Sequence, residues 1–457
     1  MTDSPVKYVY YALILQAGEP LLLLNQGALP TFETTEAHFW QSVSHVNQGF
    51  MAITDLKLTT LRCLQTRFDE AQNVVIRYYA IENHYPKKPL LDGMQWVSRD
   101  GLADALKVLD QRAIIDQWFE WVGQGFPGPD WYKPTWMHRA GIDLYNAIGK
   151  LNRTWVPPTE QLRTWERSAL IRLKYIDWPG EDPVWAYFKG VPPMFAHEIP
   201  ITRHLGELFA HNAPHLLDED RSERWMVMRD YGSRTLDKET DIRYWEGALT
   251  TLAKMQVGSA RELIDFLFRD GCPDRRWDWL TTQIEALLTA PAAMLAGDSS
   301  ALSAAELDEL RARLPEFQGW LRELQTYAVP MALEHGDFWP GQVLVQEEPE
   351  LYTIIDWSDC SISHPFFSLL FLFDDEPGLP ELPDARERLI TTYLKVWTDY
   401  ESLERLRACF DLAIKFAPLY YAAIYHAVIL PGMTFKWEMN NMIPFYLKKL
   451  LPSSQGV

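Results

Sequence analysis

The sequence predicts an α+β fold distributed over more than one domain, on three observations. A chain of 457 residues is longer than one hydrophobic core usually organises. Runs rich in β-formers occur in two separate stretches, between Tyr8 and Ile81 and again from Ala169. From Thr240 onward the apolar spacing is helical. Hydrophobic residues at 47% and charged residues at 23% are an ordinary globular balance.

In order, Tyr8 to Leu15 and Leu21 to Leu24 read as strands split by an Ala-Gly-Glu-Pro turn, and Val74 to Ile81 as another strand. Thr35 to Val46 reads as a helix, and Gln111 to Val122 as an amphipathic one. Together they predict an α+β domain over residues 1–123. Gly123, Gly125 and Gly128 match G-x-G-x-x-G formally. A helix precedes them and prolines interrupt them, so a linker fits better than a phosphate loop. Linker and helix occupy 124–163. Ala169 to Ile176, the turn Trp178 to Pro183 and Val184 to Lys189 predict a hairpin. Met194 to Ala210 reads as a helix and Trp225 to Arg229 as a strand. Ser303-Ala-Ala-Glu306 is a capping box. A short strand pair is expected at Leu333 and Val343 to Val345, another strand at Tyr352 to Ile355, and helices from Ala385 to Leu451.

Lys and Arg total 43 against 62 Asp and Glu, a net charge of −19. That field repels phosphate backbones, so nucleic acid is excluded as the main partner, and it favours a cationic small molecule. Cys63, Cys272, Cys360 and Cys409 lack metal or redox spacing and read as thiols of a reducing compartment. The N-terminus has no basic region followed by an apolar core. Phe416 to Leu430 is short for a membrane span and reads as a buried helix. The expectation is a cytoplasmic protein without a membrane partner.

The chemistry concentrates in EHGDFWPGQVLV, Glu334 to Val345. Asp337 can accept the proton of an attacking hydroxyl. Gln342, five residues on, brings a side-chain oxygen back toward a metal ion. Asp356, after the strand Tyr-Thr-Ile-Ile355, can hold the same ion. Taken singly, Asp337 reads as a loop Asp and Asp356 as a strand-end cap; the triple with its intervening strands favours chemistry. Upstream, Lys189 ends a strand and Glu198 lies near the start of the next helix, the pattern of an ion pair that orients nucleotide phosphates.

Lys189, Glu198, the strand Trp-Met-Val-Met-Arg-Asp230, HGDFWPGQ and IIDW together resemble the aminoglycoside phosphotransferase family of kinase-like enzymes. The resemblance runs over about Thr164 to Leu370. It implies a two-lobed protein-kinase-like fold, with a β-rich N-lobe at 164–236 and a helical C-lobe at 237–457. It implies transfer of the γ-phosphate of ATP (or GTP), with Mg²⁺, to a hydroxyl of a small molecule. Asp337 would be the base, Gln342 and Asp356 the metal ligands, and Lys189 and Glu198 the phosphate-orienting pair. Met228, Arg229 and Asp230 would read adenine as a hinge, and Leu344 would floor its pocket. Asp359 is an accessory acid. Two positions depart from the family pattern: Gln342 stands where Asn is usual, and Ser368 where many members have Asp.

Residues 1–123, with Leu29-Pro30 early and Met94-Gln-Trp-Val97 late, resemble a Nudix domain. Glu33, Glu36 and Asp55 do not form that family's glutamate cluster, so the resemblance implies an inactive copy. A pseudokinase-type nucleotide-binding or scaffolding protein is the alternative to a phosphotransferase. Asp374, Asp375, Glu401 and Glu404 are candidates to line a cationic acceptor's site, although solvated helix ends and loops account for them better.

Overall fold

The computed structural model describes residues 5–16, 19–290, 301–347, 350–373, 379–380 and 382–452. The chain forms two compact units. One holds Met1–Pro192 with Leu217–Asp220 and Trp225–Met228; the other holds Pro193–Leu216, Arg221–Arg224 and Arg229–Val457.

The first unit contains two sheets. Strands β1 (Lys7–Gln16), β2 (Leu22–Asn25), β3 (Thr31–Thr34), β4 (Leu58–Asp69), β5 (Val74–Asn83) and β6 (Met94–Val97) build one, in the order β4-β5-β1-β2-β6 with β3 also on β1. The β1–β5 pair is parallel from Lys7↔Val74 to Gln16↔Asn83. Burial on both faces explains the unbroken apolar run of β1. The second sheet has the order β10-β11-β9-β8-β7, from β7 (Thr154–Trp165), β8 (Ser168–Ile176), β9 (Val184–Gly190), β10 (Leu216–Asp220) and β11 (Trp225–Arg229). The expected hairpin is β8–β9. Helix Trp136–Lys150 lays Ala140, Leu144, Ala147 and Ile148 on Ile171, Leu173, Phe188 and Val227. Those helix positions recur at the spacing of one helical face.

A buried polar seam joins the sheets. Gln161 of β7 exchanges hydrogen bonds with the Thr60 backbone (2.8 and 2.9 Å) and accepts one from Asn47 (2.9 Å). Backbone pairing to β7 displaces the helix expected over Thr35 to Val46. Val43 N–H donates to the Leu162 carbonyl and Thr164 N–H to the Gln41 carbonyl, and Ser42 bridges Arg163 after a turn at Trp40 and Gln41. The helix begins later, at Ser44–Thr54. Tertiary backbone pairing overrode local propensity.

The second unit is mostly helical, with long helices Ile242–Gly258 and Leu403–Ile424. The Ser303 capping box forms as expected. The segment Leu403–Gly432 is long and apolar enough to cross a membrane, with 67% of its apolar window buried inside the protein. Strands β12 (Ala332–Glu334), β13 (Val343–Glu347), β14 (Glu350–Ile354) and β15 (Ser361–Ser363) make two small ribbons. Leu333 and Val343 to Val345 do not pair with each other. β12 pairs with β15 from Ala332↔Ser363 to Glu334↔Ser361, and β13 with β14 from Val343↔Ile354 to Glu347↔Glu350, so each strand's partner follows β13 in the chain. The whole is α+β, a β-sheet region followed by a helical one, as a protein-kinase-like fold requires.

Candidate active site

The loop from Glu334 to Gln342 connects β12 to β13, and a turn at Pro340–Gln342 ends it. Two glycines allow its close approaches. Gly336 has φ +84, and a Cβ there would lie 2.4 Å from the Asp359 carbonyl oxygen. At Gly341 a Cβ would lie 2.0 Å from the Trp339 ring, so the indole is folded back over the glycine and is 37% exposed.

His335 locks this loop to the one that follows β14. Its Nδ1 accepts the Asp337 N–H (3.3 Å) and its Nε2 donates to the Ile355 carbonyl (3.0 Å). Accepting at one nitrogen and donating at the other is the pattern of a neutral Nε2–H ring. Ile355 N–H donates in turn to the Gln342 carbonyl (2.9 Å). Asp356 then turns into the left-handed region, φ 64 and ψ 65. Asp tolerates that conformation better than most residues, and the turn redirects its carboxylate at a cost of about 1 kcal/mol.

These constraints bring Asp337, Gln342 and Asp356 together. The Gln342 amide group lies 3.3 Å from Asp337 Oδ2 and 3.4 Å from Asp356 Oδ2, with its nitrogen facing both. Ser358 Oγ has both Asp356 Oδ1 (3.0 Å) and Asp359 Oδ2 (3.2 Å) in reach of its one hydroxyl hydrogen. Gln342 and Asp359 are buried. A half-turn of the amide presents its oxygen to the same point. Two carboxylates and an amide oxygen fit a hard cation that completes its shell with phosphate oxygens and water. Among the described residues, no three His, Cys, Asp or Glu side chains gather into a metal-ligating group of their own.

Behind the loop lies a set of side chains of which the sequence singled out only Ser368. Glu334, Arg275, Gln256 and Ser368 are buried, and Tyr420 and Tyr421 come from the aromatic run that reads correctly as core. Burial pushes the Glu334 carboxyl upward, opposed chiefly by the Tyr420 hydroxyl and the Gly336 N–H. Burial, with the Arg275 charge, holds His197 neutral, down to about 3. The sequence offered two signals here: the acidic residue directly before His-Gly-Asp, and Ser368 in place of the usual Asp.

The remaining predicted residues are distributed over the two units. Lys189, on β9 opposite Leu170, and Met228 belong to the first. Glu198, Arg229, Asp230 and Leu344 belong to the second. Lys189 is buried, and Glu198 is buried as the first residue of its helix. Arg229 N–H donates to the His215 carbonyl (3.1 Å), and Asp230 Oδ1 accepts the Gly232 N–H (2.9 Å). Leu344 pairs with Thr353 and bridges Thr235. Glu401 is engaged by Arg405 (2.8 Å) and Glu404 is exposed in a helix's first turn. Asp374 and Asp375 lie outside the described residues. All four cysteines are buried and none forms a disulfide.

No curated protein matches the chain. Solved structures with a similar fold share little sequence. The GDP complex of wild-type aminoglycoside 2'-phosphotransferase-IIIa is 15% identical, with 68% of this chain and 96% of that one covered at a TM-score of 0.47. An ethanolamine kinase of Plasmodium vivax is 14% identical, covering 69% and 86% at 0.48. A choline kinase of Streptococcus pneumoniae is 14% identical, covering 68% and 99% at 0.44. Residues 157–406, more than half of the chain, match the family described as "Phosphotransferase enzyme family", and they include every residue of the Asp337, Gln342 and Asp356 cluster. The chain is a member of that phosphotransferase family.

Proposed function

We propose that the protein transfers the γ-phosphoryl group of ATP or GTP to a hydroxyl of a small molecule. The carrying observation is the convergence of Asp337, Gln342 and Asp356 on one point of a rigid double loop. In the reaction the acceptor oxygen bonds to the γ-phosphorus as the bond to the β–γ bridging oxygen breaks. The hydroxyl proton passes to Asp337, and the products are a phosphomonoester and a nucleoside diphosphate. Asp337 aligns the acceptor hydroxyl, with its own backbone held by His335. Mg²⁺, when bound by Asp356 and the Gln342 amide oxygen, supplies charge neutralisation for the phosphates. Lys189 and Glu198 are assigned to phosphate orientation, Met228, Arg229 and Asp230 to the adenine edge, and Leu344 to its face. The −19 charge favours a cationic acceptor.

The test is γ-phosphate transfer by the full chain to a panel of hydroxyl compounds. Wild-type protein is expected to phosphorylate at least one, and Asp337→Asn to lose roughly 100-fold or more in kcat. Undiminished transfer by Asp337→Asn sinks the assignment.

One observation supports the alternative, a nucleotide-binding protein without transfer. The Gln342 nitrogen satisfies both carboxylates internally, in the place where a cation would sit. Gln342→Asn decides between the two readings. A shorter amide that creates transfer from none marks the native chain as a pseudoenzyme.

A further inference from the structure

Glu334 is fully buried and sits three residues before Asp337. Its carboxylate accepts four hydrogen bonds. Oε1 accepts the Gly336 N–H (2.7 Å), the Tyr421 hydroxyl (3.0 Å) and the Ser368 hydroxyl (3.2 Å). Oε2 accepts the Tyr420 hydroxyl (2.9 Å). Two of the three hydroxyls are themselves held: Tyr420 by Ser361 (2.9 Å), and Ser368 by the Gln256 amide (3.2 Å) and the His335 N–H (3.0 Å). Buried Arg275 donates to the Asp359 carbonyl (2.9 Å), the oxygen that abuts Gly336.

Four convergent donors around a fully buried side chain suit a carboxylate better than any neutral group. Two of the bonds reach the loop's own backbone: Gly336 directly, and His335 through Ser368. His335 and Gly336 are the residues that set where Asp337 points.

We propose that Glu334 is the positioning residue of the catalytic loop, a buried carboxylate that fixes the backbone at His335 and Gly336 and through it the direction of Asp337. Ser368 is its relay. The Ser368 hydroxyl stands 3.2 Å from Oε1, so a carboxylate at 368 would reach the same loop donors, and two acids there would repel. The site therefore has room for one acid, and this chain carries it at 334. This inference rests on the transfer reading above.

The test combines steady-state kinetics with amide hydrogen exchange over 334–338, both on the full chain. Glu334→Gln keeps the shape and removes the charge. It is expected to lower kcat about 10- to 100-fold while the nucleotide KM moves less than about twofold, and to speed exchange at Gly336. Ser368→Asp in that background returns an acid to the site and is expected to recover about tenfold in kcat. In the wild-type background the same change lowers kcat. A kcat within twofold of wild type for Glu334→Gln, a KM that rises in step with the loss, or a folded double variant that recovers nothing overturns the proposal. If Glu334→Gln does not fold, Ser368→Ala carries the test: a fall of about fivefold in kcat at constant KM supports it, and an unchanged kcat overturns it. Should wild-type protein transfer phosphate to no acceptor, the transfer reading fails by itself and exchange alone decides. Faster exchange at Gly336 in the folded variant, Glu334→Gln or Ser368→Ala, supports the brace, and unchanged exchange overturns it.

Discussion

Glu82 in the first unit and Glu334 in the second are both buried, and their surroundings differ sharply. Glu82 accepts one hydrogen bond, from the Thr135 N–H (2.9 Å), and its other oxygen has no partner. Glu334 accepts four. Burial raises the pKa of both. At Glu82 little opposes it, and the value reaches about 7. At Glu334 the donors and the Arg275 charge oppose it. Depth alone does not decide whether a buried acid acts as a charge; the donors aimed at it do.

Removing each side chain exposes the contrast. Glu334→Ala strands four donors and the partly compensated Arg275 charge, and is expected to cost roughly 3–5 kcal/mol of stability in urea denaturation at neutral pH. A loss under 1 kcal/mol would mean that the network relaxes around the gap and that the two glutamates are alike.

Glu82→Gln should act in the opposite sense, and only at high pH. The folded pKa of about 7 lies above the ordinary 4.5. The stability this group contributes is therefore complete below about 4.5 and is lost as pH rises through about 7. Glutamine keeps the bond to Thr135 and cannot ionise. The variant should match wild type at pH 4.5 and exceed it at pH 8 by at most about 3 kcal/mol. Equal stability at both pH values would show that Glu82 is solvated in the folded state.

The sequence revealed one side of this contrast better than the other. HGDFWPGQ and IIDW named Asp337, Gln342 and Asp356, because a loop between short strands keeps its functional residues close in the chain. The β8–β9 hairpin, β11 and the Ser303 cap were legible for the same reason, since each is set by neighbours in sequence. Glu334 was not, because its donors arrive from 34, 86 and 87 residues away. Periodicity identifies which face of the Leu403–Ile424 helix is buried, but not that two of its hydroxyls end on a carboxylate. The parallel β1–β5 pair and the placement of Ser44–Thr54 escaped likewise. Register along a partner strand is a property of the assembled unit, not of either segment.

The smallest expected effect concerns a single donor. Tyr421 has one hydroxyl hydrogen and two acceptors in reach, Glu334 Oε1 (3.0 Å) and the Phe367 carbonyl (3.1 Å). Its contribution to the carboxylate is therefore shared, and three other donors remain when it is gone. Tyr421→Phe preserves the ring, which stacks on Tyr446 (5.6 Å between centroids), and leaves no cavity. A loss of about 1 kcal/mol in urea denaturation follows, the ordinary value of one hydrogen bond, with little change in kcat because the Gly336 and Ser368 bonds are intact. A loss comparable to that of Glu334→Ala would instead mean that the four donors act as one cooperative unit. The brace would then fail whenever any member is missing, and redundancy would no longer separate Glu334 from the singly bonded Glu82.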